Sequence, residues 1–182
     1  MDTASLIFWP VAFAAMALAA FSDLKYRLIP NFLVLVVLCA ALGLRVDGGL
    51  SAAGLSLVAT VIVTGVVYVI ADRGYMGWGD AKMIAAASLL VPPGDVHMLM
   101  FCIVFAGGIL SCVYVLARMA LRRYPWGCLA TATLPLSPGD LVRAEMARIV
   151  AQVSMPYGLA IWGGTSIWLM HRMIRCSFAT YC

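Results

Sequence analysis

The sequence predicts an all-α polytopic membrane protein of about six transmembrane helices, with N- and C-termini outside. Three observations carry that expectation. The first is composition: of 182 residues, 64% are hydrophobic and 11% charged, where a soluble domain is usually about 45–50% apolar and about 25% charged. A single globular core of this size cannot hide so much apolar surface, so lipid is the expected solvent. The second is the division of the chain into six apolar stretches. The third is where the basic residues fall between them.

A full span needs about 20 apolar residues. Residues 50–71 and 96–117 meet this easily. Residues 6–21 are slightly short but well flanked, and residues 29–44 are similar. The last candidate, 156–170, carries Trp162 and Trp168, which suit headgroup level. Residues 81–91 are the weakest. That stretch either extends back through Gly77-Trp78-Gly79-Asp80 or stays a short or re-entrant element. Non-helical backbone at that depth is tolerated only where protein or a water-filled cavity covers it.

Six spans put both termini on one side. The N-terminus lacks the plan of a signal peptide, because Asp2 is acidic and no Lys or Arg precedes the first apolar run. With that end outside, the inner loops hold nine basic residues: Lys25, Arg27, Arg73, Lys82, Arg118, Arg122, Arg123, Arg143 and Arg148. The outer segments hold three: Arg45, Arg172 and Arg175. Nine against three obeys the positive-inside rule. The same assignment puts Asp23 and Asp80 at the cytoplasmic face.

The chain reads as one membrane-embedded domain over residues 1–182. Residues 118–153 form its longest polar stretch, a cytoplasmic loop broken by Pro125, Pro135 and Pro138. Ser137-Pro138-Gly139-Asp140 looks like a helix start, with Ser137 as cap. Leu141, Met146 and Ile149 alternate with Arg143, Glu145 and Arg148, as in a helix lying on the membrane surface. A plain connector with one or two helical turns fits as well. Cys39, Cys102 and Cys112 fall inside apolar stretches, where a small buried thiol is the ordinary use. No C-x-x-C pair supports a zinc or redox site. Cys176 and Cys182 could pair if the C-terminus lies outside the cytoplasm.

Only eight acids exist. Asp2 is terminal. Asp47 and Asp95 sit in turns beside Gly or Pro. Asp140 has a capping role open to it, Glu145 sits in the basic loop, and Asp72 neighbours Arg73. Asp23 and Asp80 remain. Asp80 could be the N-cap of the helix after it. Asp23 could be an exposed loop residue paired with Lys25 or Arg27, although a carboxylate at a helix C-terminus opposes the macrodipole. The other reading is a dyad. Two carboxylates a few Å apart do not both ionise readily, so one keeps its proton near neutral pH. The ionised partner can then activate a water against a peptide carbonyl while the protonated one donates to the carbonyl oxygen. Such chemistry needs no metal, cofactor or covalent intermediate. Gly77 and Gly79, lacking side chains, would let a substrate backbone approach Asp80.

Other chemistries are poorly supplied. His97 and His171 are the only histidines and lack helical ligand spacing. No G-x-S-x-G elbow, P-loop or dinucleotide fingerprint occurs. Aromatics are not interleaved with a basic stripe, so nucleic acid is not an expected partner. Gly107-Gly108 and Gly163-Gly164 read as helix-packing sites.

The residues resemble a family. Asp23-Leu24-Lys25-Tyr26-Arg27-Leu28-Ile29-Pro30-Asn31 resembles the D-x-x-x-R-x-I-P-N motif of type IV prepilin peptidases. Gly77-Trp78-Gly79-Asp80-Ala81-Lys82 resembles their G-x-G-D-x-K motif. Pro156-Tyr157-Gly158 is similar to a proline-aromatic-glycine element before their last helix. The resemblance implies that Asp23 and Asp80 are the catalytic aspartates, with Arg27, Pro30, Asn31, Gly77, Gly79 and Lys82 as supporting motif residues. Arg27 and Lys82 would orient the site or anionic parts of the substrate, and Asn31 would cap the second helix. The implied substrate is the leader peptide of a prepilin or pseudopilin, cut at the cytoplasmic face of the bacterial inner membrane. The tiny loop after Asp23 lacks the cysteine-bearing insert of bifunctional members, which argues against methyl transfer. The small size is similar to the peptidases of tight-adherence (Flp-type) pilus systems. Two other readings stay open: a small transporter or assembly factor whose acids bind ions or cap helices, and a wider G-x-G-D peptidase cutting other membrane helices.

Overall fold

Among the described residues, six helices follow the six apolar stretches in order: α1 (Thr3–Tyr26), α2 (Asn31–Asp47), α3 (Leu50–Asp72), α4 (Trp78–Leu90), α5 (Val96–Leu121) and α6 (Tyr157–Ala179). The structure is a computed structural model that describes residues 3–47, 49–121, 145–146, 149 and 155–179. There is no strand among the described residues. Among the described residues, three stretches are long and apolar enough to cross a membrane: Leu6–Tyr26, Ser51–Asp72 and Pro93–Ala120. Most of the polar stretch 118–153, including its expected helix start at Ser137, lies outside the described residues.

Alanines line much of the interior, beside larger buried residues such as Met16, Met83, Leu89 and Leu90. The interior of α1, α2 and α4 is built on Ala12, Ala15, Ala19, Ala40, Ala41, Ala81, Ala86 and Ala87. Large apolar side chains such as Leu18, Phe21, Leu55, Val58, Ile62, Phe101 and Phe105 point outward. That is the arrangement expected in lipid, where burying leucine against protein gains little over lipid and small residues let helices approach closely. It also corrects the expectation for the thiols: Cys102 is buried, but Cys39 and Cys112 are exposed on outward faces. The side chain of Cys176, and all of Cys182, lie outside the described residues.

The packing order runs α3, α4, α2, α1, α6, α5, each helix meeting the next, and α4 also touches α6 and α5. The short α4 is therefore central. Eight of its thirteen residues are buried. At about 1.5 Å rise per residue it is about 20 Å long, against a hydrocarbon core of about 30 Å. One of its C-terminal carbonyls is met by Arg45, whose Nη2 donates to the Leu90 carbonyl at 3.0 Å.

The crossings rest on specific pairs. Trp168 stacks on Trp9 at 5.6 Å, and Trp162 tilts against Phe13 at 5.6 Å. Both tryptophans thus join α6 to α1, and Trp168 is fully buried. Of the two glycine pairs, only Gly164 and Gly107 are packing sites. A Cβ at Gly164 would lie 2.5 Å from Ile103 Cα, and one at Gly107 would lie 3.1 Å from the Tyr157 hydroxyl. Gly108 faces open space, and Gly163 has only ordinary contact with Ala106.

Candidate active site

Asp23 lies in the last turn of α1 and is 7% exposed. It is therefore not an exposed loop residue. The helix stops three residues later because Arg27 takes a left-handed backbone, φ +56°. The Arg27 N–H still donates to the Asp23 carbonyl at 2.9 Å, which closes the last turn. The Ser22 hydroxyl donates to the Leu28 carbonyl at 2.9 Å and folds the connection back on α1. Pro30 follows, exposed, and its carbonyl accepts from the Leu33 N–H at 3.0 Å in the first turn of α2.

Asp80 enters from α4. The helix cap is Gly77, in an extended conformation. Asp80 is the third helical residue, so it is not the N-cap. Its carboxylate reaches back to accept from the Gly77 N–H, the return half of a capping box. The glycines beside it are also spoken for. A Cβ on Gly77 would sit 3.0 Å from Asp80 Oδ2, and one on Gly79 would sit 3.2 Å from Ile29 Cβ. Their bareness also serves contacts within the protein. Gly79 seats the second motif on Ile29 of the first.

A second bridge joins the motifs. Lys82 Nζ donates to Asn31 Oδ1 at 3.3 Å. Asn31 is the first helical residue of α2, and its side chain holds Lys82 instead of capping the helix.

The two carboxyls share one end of the helix assembly, close enough for the charge of Asp23 to act on Asp80. Asp80 stands in the first turn of α4, outside the three long apolar stretches. Burial, and after it the charge of Asp23, push its carboxyl up to about 7, against a smaller downward pull from the Gly77 N–H. At neutral pH the pair can hold one proton between its two members.

Four further residues belong here that sequence reasoning did not assign. The Gly158 N–H donates to Asp23 Oδ2 at 2.8 Å, and a Cβ on Gly158 would lie 3.0 Å from both Asp23 Cβ and Oδ2. Tyr157, next to it, is near enough to Asp80 to feel its charge. Glu145 accepts from Arg27 Nη2 and from the Tyr114 hydroxyl through the same Oε1. The order Pro-Tyr-Gly ahead of the last helix was a signal for the first two. Nothing in the sequence marked Glu145, which stands between Arg143 and Arg148 like a solvated acid.

The opposite face of α4 lines an apolar cavity of about 430 Å³ between α2 and α3, bounded by Trp78, Ala81, Lys82, Ala85, Val34 and Thr64 among others. Among the described residues no group of three or more His, Cys, Asp or Glu is placed to hold a metal ion.

The type IV leader peptidase family model matches residues 11–115, which carry both Asp23 and Asp80. No significant match is found among curated proteins or among solved structures. The match spans more than half of the chain, and the chain belongs to the type IV leader peptidase family.

Proposed function

We propose that this leader peptidase is an intramembrane aspartic endopeptidase. It removes the leader peptide of type IV, Flp-like prepilins and pseudopilins at the cytoplasmic face of the inner membrane. Six helices span the bilayer in this reading, with both termini outside. The observation that supports it is that a carboxyl from α1, buried, and one from α4, half-buried, lie within electrostatic reach of each other.

The surroundings distinguish the two acids. Burial works against charge on Asp23, but the Gly158 N–H donates to its carboxylate and the Arg27 guanidinium is in electrostatic reach, so in this reading it is the partner that carries the negative charge. Asp80 is the proton holder. Asp23 takes a proton from water, and the hydroxide equivalent attacks the scissile carbonyl. Asp80 donates its proton to the carbonyl oxygen. When the tetrahedral intermediate collapses, Asp23 returns its proton to the departing amine, and Asp80 recovers the other from the intermediate's hydroxyl. General acid–base assistance of this kind contributes roughly 10²–10⁴-fold.

The test is leader removal from a prepilin by Asp23→Asn and Asp80→Asn single variants, with membrane levels checked. Each is expected to abolish cleavage while the protein stays inserted. Asp80 also bonds the helix cap, so a purely structural acid predicts a nearly silent Asp80→Asn. Normal processing by both variants would sink the proposal.

A further inference from the structure

Arg27 is held in a backbone conformation that L residues avoid, φ +56°. Something must keep it there, and its side chain shows what. The guanidinium forms an ion pair with Glu145, which lies 118 residues away in sequence, and the Tyr114 hydroxyl donates to the same carboxylate oxygen. The Arg27 and Glu145 side chains are only 14% and 16% exposed. Three distant parts of the chain therefore converge: the turn after α1, the last third of α5, and the helical residue Glu145. Arg27 follows Asp23 by four residues and is bonded to its carbonyl at 2.9 Å. Both Arg27 and Glu145 lie within electrostatic reach of the Asp23 carboxyl.

We propose that Glu145, oriented by Tyr114, is a positioning residue of the peptidase site: it clamps Arg27, and through Arg27 the end of α1 that presents Asp23. The inference rests on the dyad reading of Asp23 and Asp80. It gives the polar stretch after α5 a task, which is to tether the cytoplasmic end of the site. The pairing suits such a task because a half-buried carboxylate between a guanidinium and a hydroxyl has little freedom to wander. Removing it leaves a guanidinium in a poorly solvated place, which re-sorts the local turn.

The test measures kcat and KM for prepilin cleavage by Glu145→Gln, Glu145→Ala, Arg27→Ala and the Arg27→Ala/Glu145→Ala double variant. Small misplacements of a reacting group cost up to about 10²-fold, so Glu145→Ala is expected to lower kcat by roughly 10–100-fold with KM changed less than about twofold. Glu145→Gln, which keeps the shape, should fall between wild type and Glu145→Ala. The double variant should be no slower than Arg27→Ala alone, because the two act as one unit. Two results overturn the inference: an unchanged kcat per inserted molecule in Glu145→Ala, or losses that multiply independently in the double variant. A contact that is only structural would lower protein level or melting temperature and leave kcat intact. Asp23→Asn is measured alongside. If it cleaves normally the dyad falls, and the clamp with it; if it is dead while Glu145→Ala is normal, only the clamp falls.

Discussion

Gly158→Ala adds one methyl group where the last helix meets the Asp23 carboxyl. The new Cβ would lie 3.0 Å from Asp23 Cβ, 3.0 Å from Oδ2 and 3.3 Å from Cγ. Ordinary contact begins at 3.4 Å, so the carboxyl must retreat by a few tenths of an ångström. The Gly158 N–H···Oδ2 distance is 2.8 Å, and a retreat of that size carries it to or past the roughly 3.2 Å limit of a good bond. A hydrogen bond to a charged group is worth about 1.5–3 kcal/mol. At about 1.4 kcal/mol per factor of ten, its loss slows a step that depends on the Asp23 charge by roughly 10–150-fold. Stability should not rise, since the roughly 1 kcal/mol by which Ala is favoured over Gly in a helix is offset by the lost bond and the tight contact. The assay is the single-turnover rate of leader removal by reconstituted protein, with melting temperature as control and Gly108→Ala, which faces open space, as the silent comparison. A Gly158→Ala rate within about twofold of wild type refutes the reasoning that this N–H serves the reacting carboxyl.

The remaining predictions are briefer. Burial, and after it the charge of Asp23, push Asp80 up to about 7, so the proton is present below that pH and lost as pH rises through it. Cleavage should therefore decline on the alkaline side, and a flat rate from about pH 6 to about pH 9 would exclude Asp80 as the proton donor. Gly164→Ala drives a methyl group to 2.5 Å from the Ile103 backbone, whereas Gly163→Ala meets only Ala106 at 4.0 Å. The first should lower the melting temperature sharply, by overpacking of about 1–3 kcal/mol, and the second should not. Arg45→Met keeps the apolar stem and removes the donor to the Leu90 carbonyl. A loss of about 1–3 kcal/mol in detergent unfolding is expected, and an unchanged midpoint would show that water replaces the bond.

The helices were legible because apolar length is a direct requirement of lipid. Their ends were less so. The first stretch stops at residue 21 by hydropathy, but α1 runs on to Tyr26, and Asp23 is consequently a helical, buried acid. Hydropathy counts charge, while the helix ends where Arg27 turns left-handed. The short fourth element looked weakest because length signals lipid contact and says nothing of burial among other helices. It is the most enclosed of the six, with eight of its thirteen residues buried. The two motifs announced Asp23 and Asp80. What they did not announce is that their other members mostly hold each other: Gly79 on Ile29, Lys82 on Asn31. Contacts of that kind depend on which helix faces meet, and a local pattern does not encode them. Glu145 was illegible for the same reason, since its partners are 31 and 118 residues away.

The bond from Gly158 to Asp23 spans 135 residues, and a ribosome makes the chain in one direction. Asp23, and 57 residues later Asp80, are synthesised well before the donor that completes the site. During insertion both acids are present while the last helix is still to come. The final helix therefore acts as a keystone in time as well as in space. Until that helix is made, the chain lacks the N–H that Gly158 donates to the Asp23 carboxylate.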